Sequence, residues 1–423
     1  SSVAAGTPLV WFFKDSILKD SMASPEITLE AVPGVGDIPA AAWDACANPG
    51  GRGTPGSSHA CGRAYNPFVS HAFFSALEAS GSATMRTGWA PRHLVAKIGD
   101  EVLGVVPCYL KSHSQGEYVF DRGWADAYER AGGRYYPKLQ ASVPFTPATG
   151  PRLLVRADQD HQVIGNALVQ GLKALCGISE ASSVHVTFAR EAEWALLAAQ
   201  GFLQRTDQQF HWHNQGFSTF DDFLATLNSR HRKAMKRERR DALSAGITIH
   251  WLTGKDITED AWDAFFAFYM ETGSRKWGRP YLTRAFYSLI GERMADDILL
   301  VMARRNGRYI AGAINFIGSE ALYGRHWGCI EDHPFLHFEV CYYQAIDFAI
   351  QHKLRIVEAG AQGEHKIARG YLPQTTYSAH YIADRGLRRA IDDYLKRERA
   401  YVEEAGRELA ESAPFRKEAD EPS

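Results

Sequence analysis

The feature that most restricts the fold of this chain is an internal repeat, in which two distant segments follow the same order of strands and turns. In each segment, two β-branched, apolar runs flank a tight turn, Gly99-Asp100 in the first half and Asn306-Gly307 in the second. Such dipeptides between apolar runs predict β-hairpins, and a third strand is predicted after each hairpin. The matching runs are residues 93–98, 102–110 and 117–124 in one half and 298–303, 310–317 and 321–328 in the other.

The repeat continues beyond the predicted hairpins. A helix is expected at 161–174, and its counterpart at 339–352 places Tyr342, Ile346 and Ile350 on one buried face. An antiparallel meander followed by a helix and further strands is the order of a GNAT domain. The sequence therefore predicts an α/β (α+β) protein with two tandem GNAT-like domains, each a mixed, mostly antiparallel central sheet flanked by helices. The further strands are predicted at 184–188, 355–358 and 376–382.

The chain has 423 residues, which is too long for one compact core. A Gly-, Pro- and Ser-rich stretch at 48–62 predicts a mobile surface loop. One long polar helix is predicted at 218–246 and a charged helix near the C terminus. The predicted division is 22–215 for the first domain, 216–250 for a linking basic helix and strand, 251–395 for the second domain, and 396–423 for a C-terminal helix and tail.

Residues 1–21 differ in character from the rest of the chain, because an ordinary start occurs at Met22. We expect them to be a tag or fusion segment. A second interpretation is a fused substrate peptide. Val3-Ala-Ala-Gly6 resembles the cleavage junctions of ribosomal peptide leaders, and the peptide after it would carry Lys14 and Lys19 as acceptor side chains.

Composition and motif searches exclude several classes of protein. The formal net charge of −2 argues against a surface built for duplex nucleic acid, and no apolar run is long enough to span a membrane. Six cysteines form no C-x-x-C pair, so we expect reduced thiols in a cytoplasmic protein. There is no phosphate-binding P-loop, nucleophile elbow or H-E-x-x-H pattern. Despite sixteen histidines, including His211 and His213, we expect neither a metal nor a prosthetic group.

The predicted linking helix carries a dense cluster of basic residues. Arg232, Lys236 and Arg240 recur every four residues and therefore share one face. Like charges at this spacing repel each other, which favours a bound anion such as tRNA phosphate, the pyrophosphate of coenzyme A or a nucleotide-linked substrate. The alternative is a solvated face of a connecting helix.

Several segments resemble a known family. Residues 228–251 resemble the basic helix and following strand of Fem-type aminoacyl transferases, which use aminoacyl-tRNA to add amino acids to peptidoglycan precursors. Residues 364–371 resemble the lysine-containing segment before the last strands of the second Fem domain. Residues 66–71, 124–128 and 358–366 resemble the bacterial Fem-like group named for peptidoglycan biosynthesis or recognition, and the likeness spans most of 60–385.

The resemblance implies an active site in the second domain. Lys366 matches the Fem lysine that stabilises charge in the transition state, with Glu364 and His365 as candidate proton carriers. The alternative for Glu364 and Lys366 is a surface ion pair. Glu339 is a further catalytic candidate, although a carboxylate in the first turn of a helix also stabilises that helix. The candidate substrate-binding residues are Arg325, Trp327, Glu358, Gln362 and Arg369.

A cofactor loop is predicted in the first domain. The sequence Gln162-Val-Ile-Gly165-Asn-Ala167 fits the Q/R-x-x-G-x-G/A pattern of GNAT proteins, in which backbone N–H groups hold the coenzyme A pyrophosphate. The corresponding stretch of the second domain, residues 331–337, does not fit it. This difference favours a Fem-like mode in which the second domain does not hold coenzyme A.

The sequence therefore predicts an N-acyltransferase that moves an aminoacyl or fatty-acyl group from an activated carrier to an amine of a peptide or peptidoglycan precursor. The donor is expected to be aminoacyl-tRNA, acyl-CoA or an acyl carrier protein. One alternative is acylation of a lysine or ornithine side chain in a ribosomal peptide. Two alternatives from other classes are a non-catalytic module that recognises cell-wall peptide and nucleic-acid binding through residues 230–240.

Overall fold

The structure, a computed structural model, describes residues 9–13, 26–53, 63–277, 280–361 and 363–416. The strands are β1 (Leu9–Phe13), β2 (Ile27–Val32), β3 (Trp89–Pro91), β4 (His93–Ile98), β5 (Glu101–Val106), β6 (Cys108–Lys111), β7 (Lys138–Ala141), β8 (Leu154–Val155), β9 (Ser183–Ala189), β10 (Leu203–His213), β11 (Thr248–Leu252), β12 (Ile298–Arg305), β13 (Arg308–Ile317), β14 (Ala321–Cys329), β15 (Ile356–Glu358) and β16 (Leu372–Ile382).

Helices cover both faces of the sheets. They are α1 (Ala40–Ala47), α2 (His71–Ala79), α3 (Arg122–Arg130), α4 (His161–Ile178), α5 (Glu191–Ala199), α6 (Phe220–Thr226), α7 (Ser229–Ala242), α8 (Glu259–Trp277), α9 (Arg284–Met294), α10 (Leu336–Phe338), α11 (Gln344–Gln351) and α12 (Arg385–Glu411). A π-helical turn at Glu339–Tyr343 joins α10 to α11. Within the described residues, no helix is long and apolar enough to cross a lipid bilayer.

The strands form two sheets, and the order of strands and helices is repeated in the two halves of the chain. One sheet has the order β1-β2-β4-β5-β8, and the other has the order β11-β12-β13-β14-β15-β10-β16-β9-β7-β6-β3. Most neighbours are antiparallel, but each half has one parallel pair, β7 with β9 and β14 with β15. In each half the chain between the parallel strands includes a helix, α4 or α11. This repeated order confirms the predicted fold of two tandem GNAT-like halves.

The two halves exchange their last strands. β10 leaves the first half and lies between β15 and β16, while β16 returns from the second half to pair with β9. The β10–β16 ladder is long, running from Leu203 opposite His380 to His211 opposite Leu372. One continuous sheet therefore passes through both halves. The predicted division at residue 215 assigns β10 to the first domain, whereas the strands beside it in the sheet, β15 and β16, belong to the second.

The hairpins of the second half agree closely with the sequence prediction, but the first half differs. The predicted strand 102–110 is split at Pro107 into β5 and β6, which belong to different sheets. The prediction of a strand at 117–124 is wrong, because this stretch is irregular and then enters α3. Tertiary ion pairs explain the difference, since the carboxylates of Glu117 and Asp121 are buried against Lys138 at 3.4 and 2.6 Å. The third strand of this half is instead β7, which carries Lys138.

The prediction of one helix at 218–246 is also wrong. α6 ends at Thr226, and Leu227 adopts an extended conformation before α7 begins. Asn228 then caps α7, because its side-chain oxygen accepts a hydrogen bond from the backbone N–H of His231 at 3.1 Å. The polar sequence pattern continues through this break, so periodicity alone did not reveal it.

Predictions at the N terminus and the first loop fall partly outside the described residues. Leu9–Phe13 forms a backbone ladder with β2 at the edge of the five-stranded sheet, whereas Lys14 and Lys19 lie outside the described residues. The Gly-rich stretch at 48–62 is described only as far as residue 53, where Arg52 forms an ion pair with Asp297.

Candidate active site

A cavity of about 390 Å³ opens where the parallel strands β14 and β15 separate. Their pairing ends with Tyr323 opposite Glu358. Beyond this point the chain of β14 lines one side of the cavity, and the segment after β15 lines another. The first half closes the cavity with Tyr118, Phe120 and Phe188, while β10 and β16 contribute further polar residues. The space therefore lies between the two halves, and both contribute to its walls.

A β-bulge places Arg325 on the wall of the cavity. Asn315 pairs with Gly324 and Ile314 pairs with His326, so Arg325 is the extra residue of β14. Its Nη2 donates a hydrogen bond to the carbonyl oxygen of Phe145 at 2.8 Å. Burial lowers the pKa of Arg325 from its ordinary value, and nearby tyrosines and Glu358 partly oppose this effect.

Lys366 reaches the cavity from a short 3-10 helix, Glu364–Arg369. Its side chain is buried, with 4% of the residue exposed. Nζ donates hydrogen bonds to the carbonyl oxygens of Ala359 and Gly360 at 2.6 and 3.2 Å. Burial lowers the pKa of Lys366 to about 8. The ammonium is thus fixed in place by two carbonyls at the point where the parallel strands separate.

Glu358 is the last residue of β15, where the pairing with β14 ends, and it is not part of the cavity lining. Burial raises the pKa of its carboxyl to about 8, opposed by the guanidinium groups of Arg325 and Arg152 and by a backbone hydrogen bond from Thr149. Its Oε2 lies 3.9 Å from Nε2 of His211. Burial lowers the pKa of His211 to about 3, so that imidazole is neutral near pH 7. The carboxyl of Glu358, with its pKa of about 8, is mostly protonated at neutral pH.

Aromatic side chains line much of the remaining surface. Trp327 lies beside His337, with ring centroids 5.2 Å apart, and both line the cavity together with Tyr342. The hydroxyl of Tyr342 lies 3.1 Å from Nε2 of His365, an exposed residue that adjoins the cavity through this contact. Trp327 thus lines the cavity and His365 lies beside it.

Glu339 and Arg369 also lie outside the cavity lining, and their contacts stabilise the segments around it. Glu339 is fully buried, where it forms an ion pair with Arg239 at 2.9 Å and accepts a hydrogen bond from Gln344. Arg369 forms an ion pair with Glu238 at 2.9 Å and stacks on Phe338. Both arginine pairs tie α7 to the segments that carry the site, so these contacts favour a positioning role over direct chemistry. Of the other predicted residues, Gln362 and the side chain of Glu364 lie outside the described part of the chain.

In the predicted cofactor loop of the first half, the N terminus of α4 is already capped by a carboxylate of the protein. Asp160 is the N-cap of α4, and its carboxylate accepts hydrogen bonds from the backbone N–H groups of Gln162 and Val163 at 2.8 and 3.1 Å. Gly165 is buried within the helix. A pyrophosphate at this position would compete with a carboxylate for the same donors and be repelled by its charge. The capping by Asp160 therefore disfavours pyrophosphate binding at Gln162 and Gly165, which stays a prediction.

The basic face of α7 is partly neutralised by its own surroundings. Lys236 pairs with Asp221 at 3.0 Å and Arg240 with Asp241 at 2.9 Å, while Arg232 donates a hydrogen bond to the carbonyl oxygen of Leu227 at 3.3 Å. Lys236 and Arg240 remain exposed. These three residues are not part of the cavity lining, so any role in binding a donor would involve the outer surface.

Sequence reasoning missed Asp207 and Tyr118. Asp207 lines the cavity from β10, where it remains exposed to solvent, and partial desolvation raises the pKa of its carboxyl above the ordinary value. Tyr118 lines it from the irregular segment before α3, where a positive φ of 60° turns the chain. No local pattern marks either residue, because one arrives by strand exchange and the other by a non-repetitive turn. Among the described residues, no group of three His, Cys, Asp or Glu side chains could hold a metal ion.

Comparison with known proteins assigns the chain to a family. No curated protein gives a significant match to the chain. Similar solved structures include FemX, with 13% identity over 74% of this chain and 93% of that chain and a TM-score of 0.47. A tandem GNAT protein from the clavulanic acid biosynthesis pathway has 14% identity over 84% and 99% of the two chains, with a TM-score of 0.43. L-PGS from Bacillus licheniformis has 8% identity over 76% and 94%, with a TM-score of 0.48. The FemAB-like family model, described as peptidoglycan biosynthesis/recognition, matches residues 34–417, and the chain therefore belongs to the FemAB-like family.

Proposed function

We propose that this protein is an N-acyltransferase that moves an acyl or aminoacyl group from an activated carrier to an amine, with its active site in the cavity beside β14 and β15. The observation that carries the proposal is the buried ammonium of Lys366, held by the carbonyls of Ala359 and Gly360 on the wall of a cavity large enough for a small substrate. Membership of the FemAB-like family supports the same chemistry. We propose the cytoplasm as the location.

The reaction requires the protein to stabilise negative charge on the acyl oxygen and to accept a proton from the amine. When an amine attacks an acyl carbon, a new C–N bond forms, the bond from the acyl carbon to the carrier breaks, and the carrier leaves with that electron pair. Before the carrier leaves, negative charge develops on the acyl oxygen, and a fixed cation in a dry site stabilises it. Lys366 is positioned for this role. The amine must also lose a proton, and Asp207 is the proposed acceptor because it lines the cavity and its raised pKa makes it a stronger base. Glu364 and His365 remain predictions for the same step.

Two classes of donor fit different observations. The exposed cations of α7, among them Arg230, Lys233 and Arg237, favour a donor with a phosphate backbone such as aminoacyl-tRNA. The aromatic walls of the cavity favour an apolar acyl group, which would be supplied by coenzyme A or a carrier protein to a peptide amine. The carboxylate of Asp160 disfavours coenzyme A at the first-half helix. Aminoacyl-tRNA is therefore the leading donor, and the apolar acyl carrier is the second candidate.

The test is to incubate the full chain with an amine mixture and either charged tRNA or acyl-CoA of several chain lengths, and to follow donor loss and new amides by mass spectrometry. We expect turnover with one donor class. Lys366→Met should lower turnover at least tenfold, whereas Lys255→Met, at an exposed lysine outside the cavity lining, should not change it. Unchanged turnover in Lys366→Met would contradict the proposed role. Tight binding of a cell-wall peptide without donor consumption would instead support a recognition module.

A further inference from the structure

The guanidinium of Arg325 is a cation for which the described part of the chain provides no ion-pair partner. Its hydrogen bond goes to a neutral acceptor, the carbonyl oxygen of Phe145. A guanidinium has five N–H donors, so most of its hydrogen-bonding capacity remains for a ligand. Because the β-bulge sets Arg325 on the cavity wall, these donors can be reached by a molecule bound there.

The groups around Arg325 do not supply a full negative charge at neutral pH. Tyr118, Tyr269 and Tyr287 lie close enough to affect its pKa, and burial raises the pKa of each of these phenols, so all three are neutral. Glu358 is the neighbouring carboxyl, but its pKa of about 8 keeps it mostly protonated near pH 7. A partly desolvated cation surrounded by neutral groups favours an anion brought by the ligand.

The shape and lining of the cavity restrict the anion further. Besides Arg325, its walls carry Tyr118, Tyr269 and Trp327, and its rim carries Phe120, an apolar residue that is 72% exposed. A pyrophosphate would require several cations together, whereas a single carboxylate matches the planar fork of one guanidinium. Aromatic walls favour an apolar or aromatic group next to that carboxylate.

If Lys366 bound the carboxylate of the ligand, its ammonium could not also stabilise the charge that develops on the acyl oxygen. Two of the three N–H bonds of its ammonium are directed at the carbonyls of Ala359 and Gly360, which leaves one for the reacting group. Arg325 lies on β14 and Lys366 on the 3-10 helix that follows β15, and both line the cavity, so they present two distinct cations to one ligand. One cation can hold the substrate while the other faces the developing charge.

We infer that Arg325 is the recognition site for a carboxylate on the acceptor amine, which is therefore an amino acid or a peptide whose carboxylate lies next to an apolar or aromatic side chain. The role of this molecule as acceptor rests on the proposed function, but the binding of the carboxylate does not.

The first test measures binding alone, by titrating the full chain with phenylacetate and with phenylacetamide, which has the same shape without the charge. We expect phenylacetate to bind at least tenfold more tightly by NMR or calorimetry. Arg325→Gln should remove this preference, and Lys366→Met should keep it. Equal binding of the two compounds to the wild-type protein would overturn the inference, and so would a preference that Lys366→Met removes and Arg325→Gln retains. Since the first comparison uses only the wild-type protein, it does not depend on the folding of a variant.

The second test uses turnover with phenylalanine and phenylalaninamide as acceptors. We expect kcat/KM to favour the carboxylate by at least tenfold in the wild-type protein and to be nearly equal for both acceptors in Arg325→Gln. A wild-type protein that prefers the amide would overturn the inference. If no donor is consumed while phenylacetate still binds through Arg325, the proposed function fails and the carboxylate site stands.

Discussion

Replacing Lys366 by Met tests the buried ammonium on which the proposed chemistry depends, without any knowledge of the substrate. Burial lowers the pKa of Lys366 from 10.5 to about 8 in the folded protein. Between these two pH values the unfolded chain holds a proton that the folded chain has lost. The free energy of unfolding therefore rises with pH through this window, and the cost of burying the charge is fully present below it.

The magnitude is set by the two pKa values. At about 1.36 kcal/mol for each tenfold change in the proton equilibrium, the whole difference corresponds to about 3 kcal/mol, of which about 2.5 kcal/mol falls between about pH 7 and 10. Met has a similar length and no titrating group. The wild-type protein should thus gain about 2–3 kcal/mol relative to Lys366→Met across this range. Other titrating groups, such as the buried Lys111, are present in both proteins and cancel in the difference.

Urea unfolding followed by tryptophan fluorescence at a series of pH values measures this difference. The control is Lys255→Met, the same substitution at an exposed lysine outside the cavity lining, measured over the same pH series. If the curves of wild type and Lys366→Met run parallel from about pH 7 to 10, Lys366 titrates as an ordinary solvated lysine and the reasoning is refuted.

Two further perturbations concern the site and its support. Glu358→Gln removes a carboxyl whose pKa burial raises from 4.5 to about 8, so the folded wild-type protein holds the extra proton and loses stability as pH rises through that window. The variant should gain about 3 kcal/mol on wild type between about pH 5 and 8 in the same urea assay, and a constant difference would disprove the raised pKa. Gly328→Ala would place a Cβ against the backbone carbonyl of Phe268 in α8, so thermal unfolding should show a loss of about 1–3 kcal/mol. Gly177→Ala, on a helix with open space around it, should be neutral or stabilising, and equal effects of the two changes would contradict this packing argument.

Sequence patterns predict the second half well because its local signals agree with its tertiary contacts. The runs on either side of Asn306-Gly307 become β12 and β13 with nearly the expected bounds. The first half shows the opposite case at residues 117–120, where a run of aromatic and β-branched residues after Glu117 favours a strand. There the buried ammonium of Lys138 holds the carboxylates of Glu117 and Asp121, and these long-range ion pairs override the local preference.

The residues of the candidate site also fall into two groups, those that the sequence could place together and those that only the tertiary structure brings to the cavity. Arg325, Trp327 and Lys366 meet in one cavity because they lie on or just after two adjacent strands, and the family resemblance groups them in the second half. Asp207 and Tyr118 could not be grouped with them from the sequence, since both belong to the first half in chain order. Glu339 illustrates a different limit, because a carboxylate in a helical turn looks the same in sequence whether it faces a cavity or a buried arginine such as Arg239.

The exchange of β10 and β16 has a consequence for the order in which the protein can be made. β9 and β16 pair Ser183 with Ile382, so the sheet of the first half is completed by residues that the ribosome adds only after β10 to β15. Until then, β9 presents an unpaired edge, and β10 waits for β15 and β16 to flank it. Synthesis of a half chain should therefore yield an adhesive intermediate rather than a stable domain.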